Sequence, residues 1–298
     1  MPKAGEGFVQ RTKDMPPHPP AAPSPPTSGG EGRTIGQLRN HWREEALRRG
    51  ISPRDVDLLL ADVTGRSPAW VFAHGDEHLD PTRFESLVER RFAGEPLQYI
   101  RNRTEFYSRE FYVDDRVLIP RPETEVLVEA VIAQVPIGAK VIDVGAGSGC
   151  ICVTLALERP DLQVFAVDRS IAALAVAKRN RDALGARVRL IASDVLDAVR
   201  SFDLIVSNPP YIAEEEIATL ATEVRDHEPR MALTPGPSGT EVIERIYASA
   251  RGATVMMEIA YGQAEAVKRV AESHGYRVDE VLRDLAGIER VVVSSPHG

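Results

Sequence analysis

The chain has 298 residues, with 36 Lys and Arg against 44 Asp and Glu and a formal net charge of −8. That length allows one large or two modest domains with a self-sufficient core, and the acidic balance argues against broad binding to a phosphate backbone. No apolar run approaches the roughly 20 residues of a membrane span and no signal peptide is legible, so the expectation is a cytoplasmic protein with no membrane partner.

Residues 1–33 hold eight prolines, several glycines and only scattered apolar side chains, the composition of a disordered tail. Thr34 is placed to cap a first helix running to about Arg49, and Ser52-Pro53 opens a second with Val56, Leu58, Leu59, Leu60 and Val63 on its apolar side. Ser67-Pro68 starts a short third helix, and Asp80-Pro81 a fourth that continues to Phe92. Residues 34–104 therefore read as a helical domain without catalytic groups, either a stabilising cap or a docking surface for a macromolecular substrate. Residues 105–118 alternate apolar and polar around Asp114-Asp115 and predict a β-hairpin linker. Residues 119–298 make the third part of the chain. Pro120 and Pro122 stiffen the chain around Arg121, just before a helix at 126–133. Arg121 suits a ligand carboxylate, and with Glu123 it equally suits helix-start capping and surface pairing.

Val141-Ile142-Asp143-Val144 is a short apolar strand leading into Gly145-Ala146-Gly147-Ser148-Gly149 and a helix at 151–158. Glycines let the backbone turn sharply and approach a ligand without a Cβ in the way. The spacing is G-x-G-x-G, Cys150 stands where a dinucleotide fingerprint has its third glycine, and no Gly-Lys-Ser/Thr follows, which excludes a P-loop. The next strand, 162–167, ends at Asp168, 19 residues after Gly149. That is close to the roughly 20-residue spacing at which a strand-end acid accepts hydrogen bonds from ribose hydroxyls. A third strand at 188–191 runs into Ala192-Ser193-Asp194-Val195, where an adenine edge fits; Asp168 and Asp194 each also have a plain reading as helix caps. Cys150 and Cys152 lie too close for an unstrained disulfide and lack companions for a metal site, so they read as buried reduced thiols.

The fourth strand, 202–207, ends in Asn208-Pro209-Pro210-Tyr211. Two prolines cannot continue a strand, since each lacks the N–H that a ladder needs and the second holds the first extended. The corner leaves carbonyls and the Asn208 side chain free to accept two hydrogen bonds from one planar NH2 group, with the Tyr211 ring as a face for that plane. Downstream, Glu214-Glu215-Glu216 and Asp226-His227-Glu228 form an acidic loop that either covers a pocket or is solvated. Residues 239–251 read as a helix, 254–259 as a strand, 263–275 as a helix, and 277–282 with 289–294 as a closing antiparallel hairpin.

Taken together, Asp-x-Gly-x-Gly-x-Gly, a strand-end Asp, Ser-Asp and Asn-Pro-Pro-Tyr resemble the class I methyltransferases that use S-adenosylmethionine. Within them the chain is similar to the release factor glutamine methyltransferases, the HemK/PrmC family. Further likeness lies in Gly94-Glu95-Pro96-Leu97-Gln98-Tyr99, Leu118-Ile119-Pro120-Arg121-Pro122-Glu123-Thr124-Glu125, Glu228-Pro229-Arg230-Met231-Ala232-Leu233 and Arg283-Asp284-Leu285-Ala286-Gly287-Ile288-Glu289-Arg290. The implied fold is α/β: a Rossmann-like, seven-stranded, mostly parallel sheet with an antiparallel C-terminal hairpin, preceded by the helical bundle and hairpin linker. The implied reaction moves a methyl group from S-adenosylmethionine to N5 of the glutamine in the Gly-Gly-Gln loop of class-1 peptide chain release factors. Carried over, Gly145, Ala146, Gly147, Ser148, Gly149, Asp168, Val195 and Asn208 contact the cofactor, and Asn208, Pro209, Pro210 and Tyr211 hold the glutamine. Some family members put an aromatic where this chain has Val195. The expected enzyme is a monomer with neither a metal nor a stable nucleic-acid partner. Two other readings stay open at this point: an N6-adenine or N2-guanine nucleic-acid methyltransferase, because the same corner fits any conjugated NH2, and a non-catalytic protein that binds translation factors.

Overall fold

The computed structural model describes residues 32–297, so the expected Pro-rich tail lies almost wholly outside the described residues. The chain forms two compact units that divide between Glu85 and Ser86.

The first unit is built from helices with chemically explicit starts. A two-residue strand, β1 (Arg33–Thr34), leads into α1 (Ile35–Arg48), which is followed by α2 (Pro53–Thr64), α3 (Pro68–Ala73) and β2 (His78–Leu79), antiparallel to β1. Thr34 Oγ1 accepts from the Gln37 backbone N–H at 3.2 Å while Gln37 Oε1 accepts from the Thr34 N–H at 2.9 Å, a reciprocal cap. Ser52 and Ser67 cap α2 and α3 one way only, their hydroxyls accepting from the Arg54 and Trp70 N–H, each with proline in the first turn. Leu38, Val56, Leu59, Leu60 and Val71 are buried, whereas Leu58 and Val63, expected on the apolar side, are half-buried.

The division falls within α4 (Pro81–Phe92). In the second unit comes α5 (Leu97–Arg101), a turn of helix that no periodicity announced. The linker hairpin is shorter than the alternation predicts: β3 (Thr104–Phe106) and β4 (Arg109–Phe111) are joined through Tyr107 and Ser108, at φ of 50° and 57°. Those paired left-handed residues match the twist of a tight hairpin. Beyond Phe111 the chain bends instead of pairing, because Asp114 accepts from the Tyr112 hydroxyl at 2.8 Å and the Arg116 N–H at 3.2 Å.

A short 3-10 turn at Pro122–Thr124 feeds α6 (Glu125–Gln134). There follow β5 (Lys140–Val144), α7 (Cys150–Glu158), β6 (Gln163–Asp168), α8 (Ile171–Leu184), β7 (Val188–Ala192) and β8 (Leu204–Ser207). A 3-10 turn at Glu214–Thr219, α9 (Thr222–His227) and α10 (Arg230–Leu233) precede α11 (Glu241–Ser249), β9 (Thr254–Glu258), α12 (Ala264–Ser273), β10 (Tyr276–Arg283) and β11 (Glu289–Pro296). The expected acidic loop is thus two short helical turns.

The seven strands lie in the order β10-β11-β9-β8-β5-β6-β7, with β7 through β9 parallel and β10 and β11 antiparallel, the doubly wound sheet with a closing hairpin that the sequence predicts. Alternation along the strands sends Val141, Val206 and Met256 into a core shared with α6 and α7, and Ile142, Ile205 and Val255 into one shared with α11 and α12. From β5 the chain winds outward through β6 and β7, then returns to β8 on the other side. Strand order therefore reverses between β5 and β8, where a crevice opens at the carboxyl ends of parallel strands. The Ser207 hydroxyl, fully buried, donates to the Val144 carbonyl at 2.7 Å and ties those two ends together.

Candidate active site

A cavity of about 280 Å³ opens at this crossover. Its wall includes Gly145, Ala146, Gly147 and Ser148 after β5, Asp168 at the end of β6, Asp194 and Val195 after β7, and Asn208, Pro209 and Pro210 after β8. Four strand ends thus converge, and most of the residues expected to act together are brought together. Gly149 and Tyr211 stand outside the wall. Gly149, at φ 81°, begins α7, and a Cβ there would come within 3.2 Å of the Ala177 Cβ, so its bareness serves helix packing. At Gly145 the reverse holds: φ is 84° and a Cβ would meet no protein atom within 4 Å. The turn needs that glycine, and the space beside it is left for a ligand.

The glycine loop is braced by its own backbone and by Asp168. Gly145 and Ala146 N–H both donate to the Val167 carbonyl at 2.9 Å, and Gly147 N–H donates to Asp168 Oδ2 at 2.9 Å. Asp168 Oδ1 accepts from the Ser170 N–H at 2.8 Å. A carboxylate has about four acceptor sites, so Asp168 retains capacity for a ligand's hydroxyls. Beneath the loop, Asp143 is buried; Oδ2 accepts from the Cys152 N–H at 3.2 Å and Oδ1 has no partner. Burial, with the Asp168 charge adding to it, pushes Asp143 up to about 7. Cys150 and Cys152 are buried free thiols, Cys150 raised to about 12 by burial.

Val195 is buried at φ 48°, a conformation that branched side chains rarely adopt. Such strain persists where surrounding structure holds it, and here the residue forms part of the cavity wall. Asp194 pairs with Arg245 at 2.9 Å across the mouth.

The elbow has a second layer that spacing could not reveal. Asn208 Nδ2 donates to Thr124 Oγ1 at 3.2 Å, and the Tyr211 hydroxyl donates to Glu258 Oε1 at 3.4 Å. Tyr211 is held protonated, because burial first and the Glu258 charge second push its hydroxyl up. Glu258 is buried at the end of β9. A strand-end acid is the same signal that singled out Asp168, and it applies to Glu258 equally.

Arg121, with Glu123, was open to two readings. Its guanidinium borders the cavity but pairs with the Glu228 carboxylate, which is buried and also accepts from the Ile119 N–H at 3.3 Å. Glu228 is therefore neither lid nor solvated charge; burial raises it and Arg121 opposes that rise. Among the described residues no cluster of His, Cys, Asp and Glu could hold a metal, and no helix is long and apolar enough to cross a membrane.

A glycine-turned loop, strand-end acids and an Asn-Pro-Pro corner around one cavity on a doubly wound sheet define a methyltransferase, and residues 122–278 match the family described as the methyltransferase small domain. Residues 37–101 match the PrmC N-terminal domain. The chain is 41% identical over 256 residues, 81% of its own length and 91% of the relative's, to the release factor glutamine methyltransferase of Koribacter versatilis. It is 43% identical over 250 residues to that of Cereibacter sphaeroides, covering 80% and 89% of the two chains. With that of Escherichia coli it shares 37% over 269 residues, covering 85% and 97%. The chain belongs to the release factor glutamine methyltransferase family.

Proposed function

We propose that this chain methylates the side-chain amide nitrogen of the glutamine in the Gly-Gly-Gln motif of class-1 peptide chain release factors, with S-adenosylmethionine as donor. The observation that carries the reading is the Asn208-Pro209-Pro210 elbow, which faces the same cavity as the glycine loop and is tied to it through Ser207 and Val144. The wall fits that donor: open space at Gly145, an acceptor with spare capacity at Asp168, and apolar surface from Val167 and Val195. Gly145, Ala146, Gly147, Ser148, Asp168, Val195 and Asn208 hold the cofactor, while Gly149 shapes the loop from behind. S-adenosylmethionine supplies a methyl group already activated by its sulfonium.

An amide nitrogen is a poor nucleophile because its lone pair is delocalised into the carbonyl. Asn208 Oδ1 and the Pro209 carbonyl accept the two N–H groups of the glutamine amide, fix its plane and favour the positive charge that nitrogen gains on attack. Placement of this kind lowers barriers by up to about 7–11 kcal/mol in favourable systems. The methylated amide is then acidic enough to release its proton to water, so no strong base is required. Pro210 keeps the corner rigid, and Tyr211 anchors it. The helical unit around residues 34–104 docks the release factor, and the enzyme acts as a cytoplasmic monomer without a stable nucleic-acid partner.

Mass spectrometry of release-factor peptides after incubation with enzyme and donor is the test. One added methyl on the Gly-Gly-Gln glutamine is expected, and Asn208→Ala should abolish it, by a factor of about 100 or more in kcat, with melting temperature unchanged. Label appearing in DNA or RNA and not in the factor would overturn the reading.

A further inference from the structure

Behind the elbow lie Thr124 and Glu258, two groups that no part of the mechanism above uses. Thr124 is almost fully buried; its Oγ1 accepts from Asn208 Nδ2 at 3.2 Å, and its hydroxyl lies near enough to the Glu258 carboxylate to favour the charged form. Glu258 Oε1 takes the Tyr211 hydroxyl at 3.4 Å, and Oε2 has no hydrogen-bond partner. Charges that reach Glu258 come from Arg290 on β11 and Glu123 beside Thr124; the nearby Cys150 thiol is held neutral. A buried acid with an unpartnered oxygen costs stability that an apolar residue of the same size would not.

A hydroxyl carries one proton, and an amide has two chemically different ends. Once the Thr124 proton turns to a carboxylate, its oxygen can only accept, which selects the Nδ2 end of Asn208 seen in the structure and leaves Oδ1 facing away. Taking the acceptor reading above as given, we infer that Glu258 is a positioning residue for methyl acceptance. Its carboxylate orients the Thr124 hydroxyl, which fixes the Asn208 amide with Oδ1 toward the incoming NH2, and it anchors Tyr211 on the other side of the elbow. Burial raises Glu258 to about 7, so its charge changes within the physiological range. When it is protonated, the acid can itself donate to Thr124, and the preference for one amide orientation weakens.

Two measurements on the full chain test this. In protein without donor, the side-chain NH2 resonances of Asn208, assigned by their loss in Asn208→Ala, are followed against pH. A titration with a midpoint near 7 is expected in the wild type, and Glu258→Gln should flatten it. In turnover, Thr124→Val should lower kcat for the release factor about 100-fold, with KM and calorimetric affinity for S-adenosylmethionine held, and Thr124→Ser should recover most of the loss. An Asn208 signal that does not respond to pH in the wild type, or one that titrates unchanged in Glu258→Gln, overturns the inference, as does a folded Thr124→Val enzyme with normal kcat. If the wild type methylates no release factor at all, the functional reading fails, while the resonance experiment still decides the role of Glu258.

Discussion

Asp143 and Glu258 are fully buried carboxyls, one under the glycine loop and one behind the elbow, and burial raises both to about 7. Because both values lie above those of the unfolded chain, roughly 4, the folded state binds more protons than the unfolded state between pH 4 and 7. The stability these groups lend is therefore whole only below about pH 4, falls as pH rises from there, and is gone above about 7. Glu228, raised in the same direction, adds to that slope. The surface acids held low by arginine partners, such as Asp114 beside Arg116, lose their contributions only in stronger acid and do not mask it. Denaturant unfolding should give a higher free energy at pH 5 than at pH 8, and Asp143→Asn or Glu258→Gln should each shrink that gap by roughly 2–3 kcal/mol. A flat profile between those two pH values would mean that neither acid is desolvated as described.

Among the elements, the elbow depends on a brace from later in the chain. Ile212 N–H donates to the Leu233 carbonyl at 3.1 Å, and Gly239, at φ 77°, packs so closely that a Cβ would come within 2.6 Å of the Tyr211 carbonyl oxygen. Gly239→Ala must move that backbone or strain its own, so a loss of about 1–3 kcal/mol is expected, with transfer falling further than the melting temperature alone explains. Paired thermal-melt and single-turnover measurements would check both. Helix starts were legible because their chemistry is local: Thr34, Ser52 and Ser67 cap as expected, within three residues of the groups they satisfy. The parallel strands were legible from unbroken apolar runs. The hairpin's true length was hidden because Asp114 diverts the chain through side-chain bonds that an alternating pattern does not encode. Glu258 carried the strand-end signal of Asp168, but its link to the elbow did not show, and Thr124 went unassigned, because sequence spacing carries no signal for a contact between segments so far apart.

For the molecule as a whole, the chain forms two units, and the helical one carries exposed apolar groups of its own. Phe72 is 73% exposed with the Arg39 guanidinium 5.3 Å from its ring centre, and Leu47 is 65% exposed. If this unit docks the release factor, Phe72→Ala or Leu47→Ala should raise KM for the whole factor about 5- to 30-fold, the range of a single interface anchor. At saturation kcat should be unchanged, and turnover of a short Gly-Gly-Gln peptide should not change either. Equal loss on peptide and factor would place those side chains elsewhere in the enzyme's economy. The sheet itself sets an order of events at birth. β9 gains its outer neighbour only from β11, which the ribosome delivers after α12 and β10. Until then a nascent chain carries Thr254–Glu258 as an open edge, able to recruit a stray strand from another polypeptide.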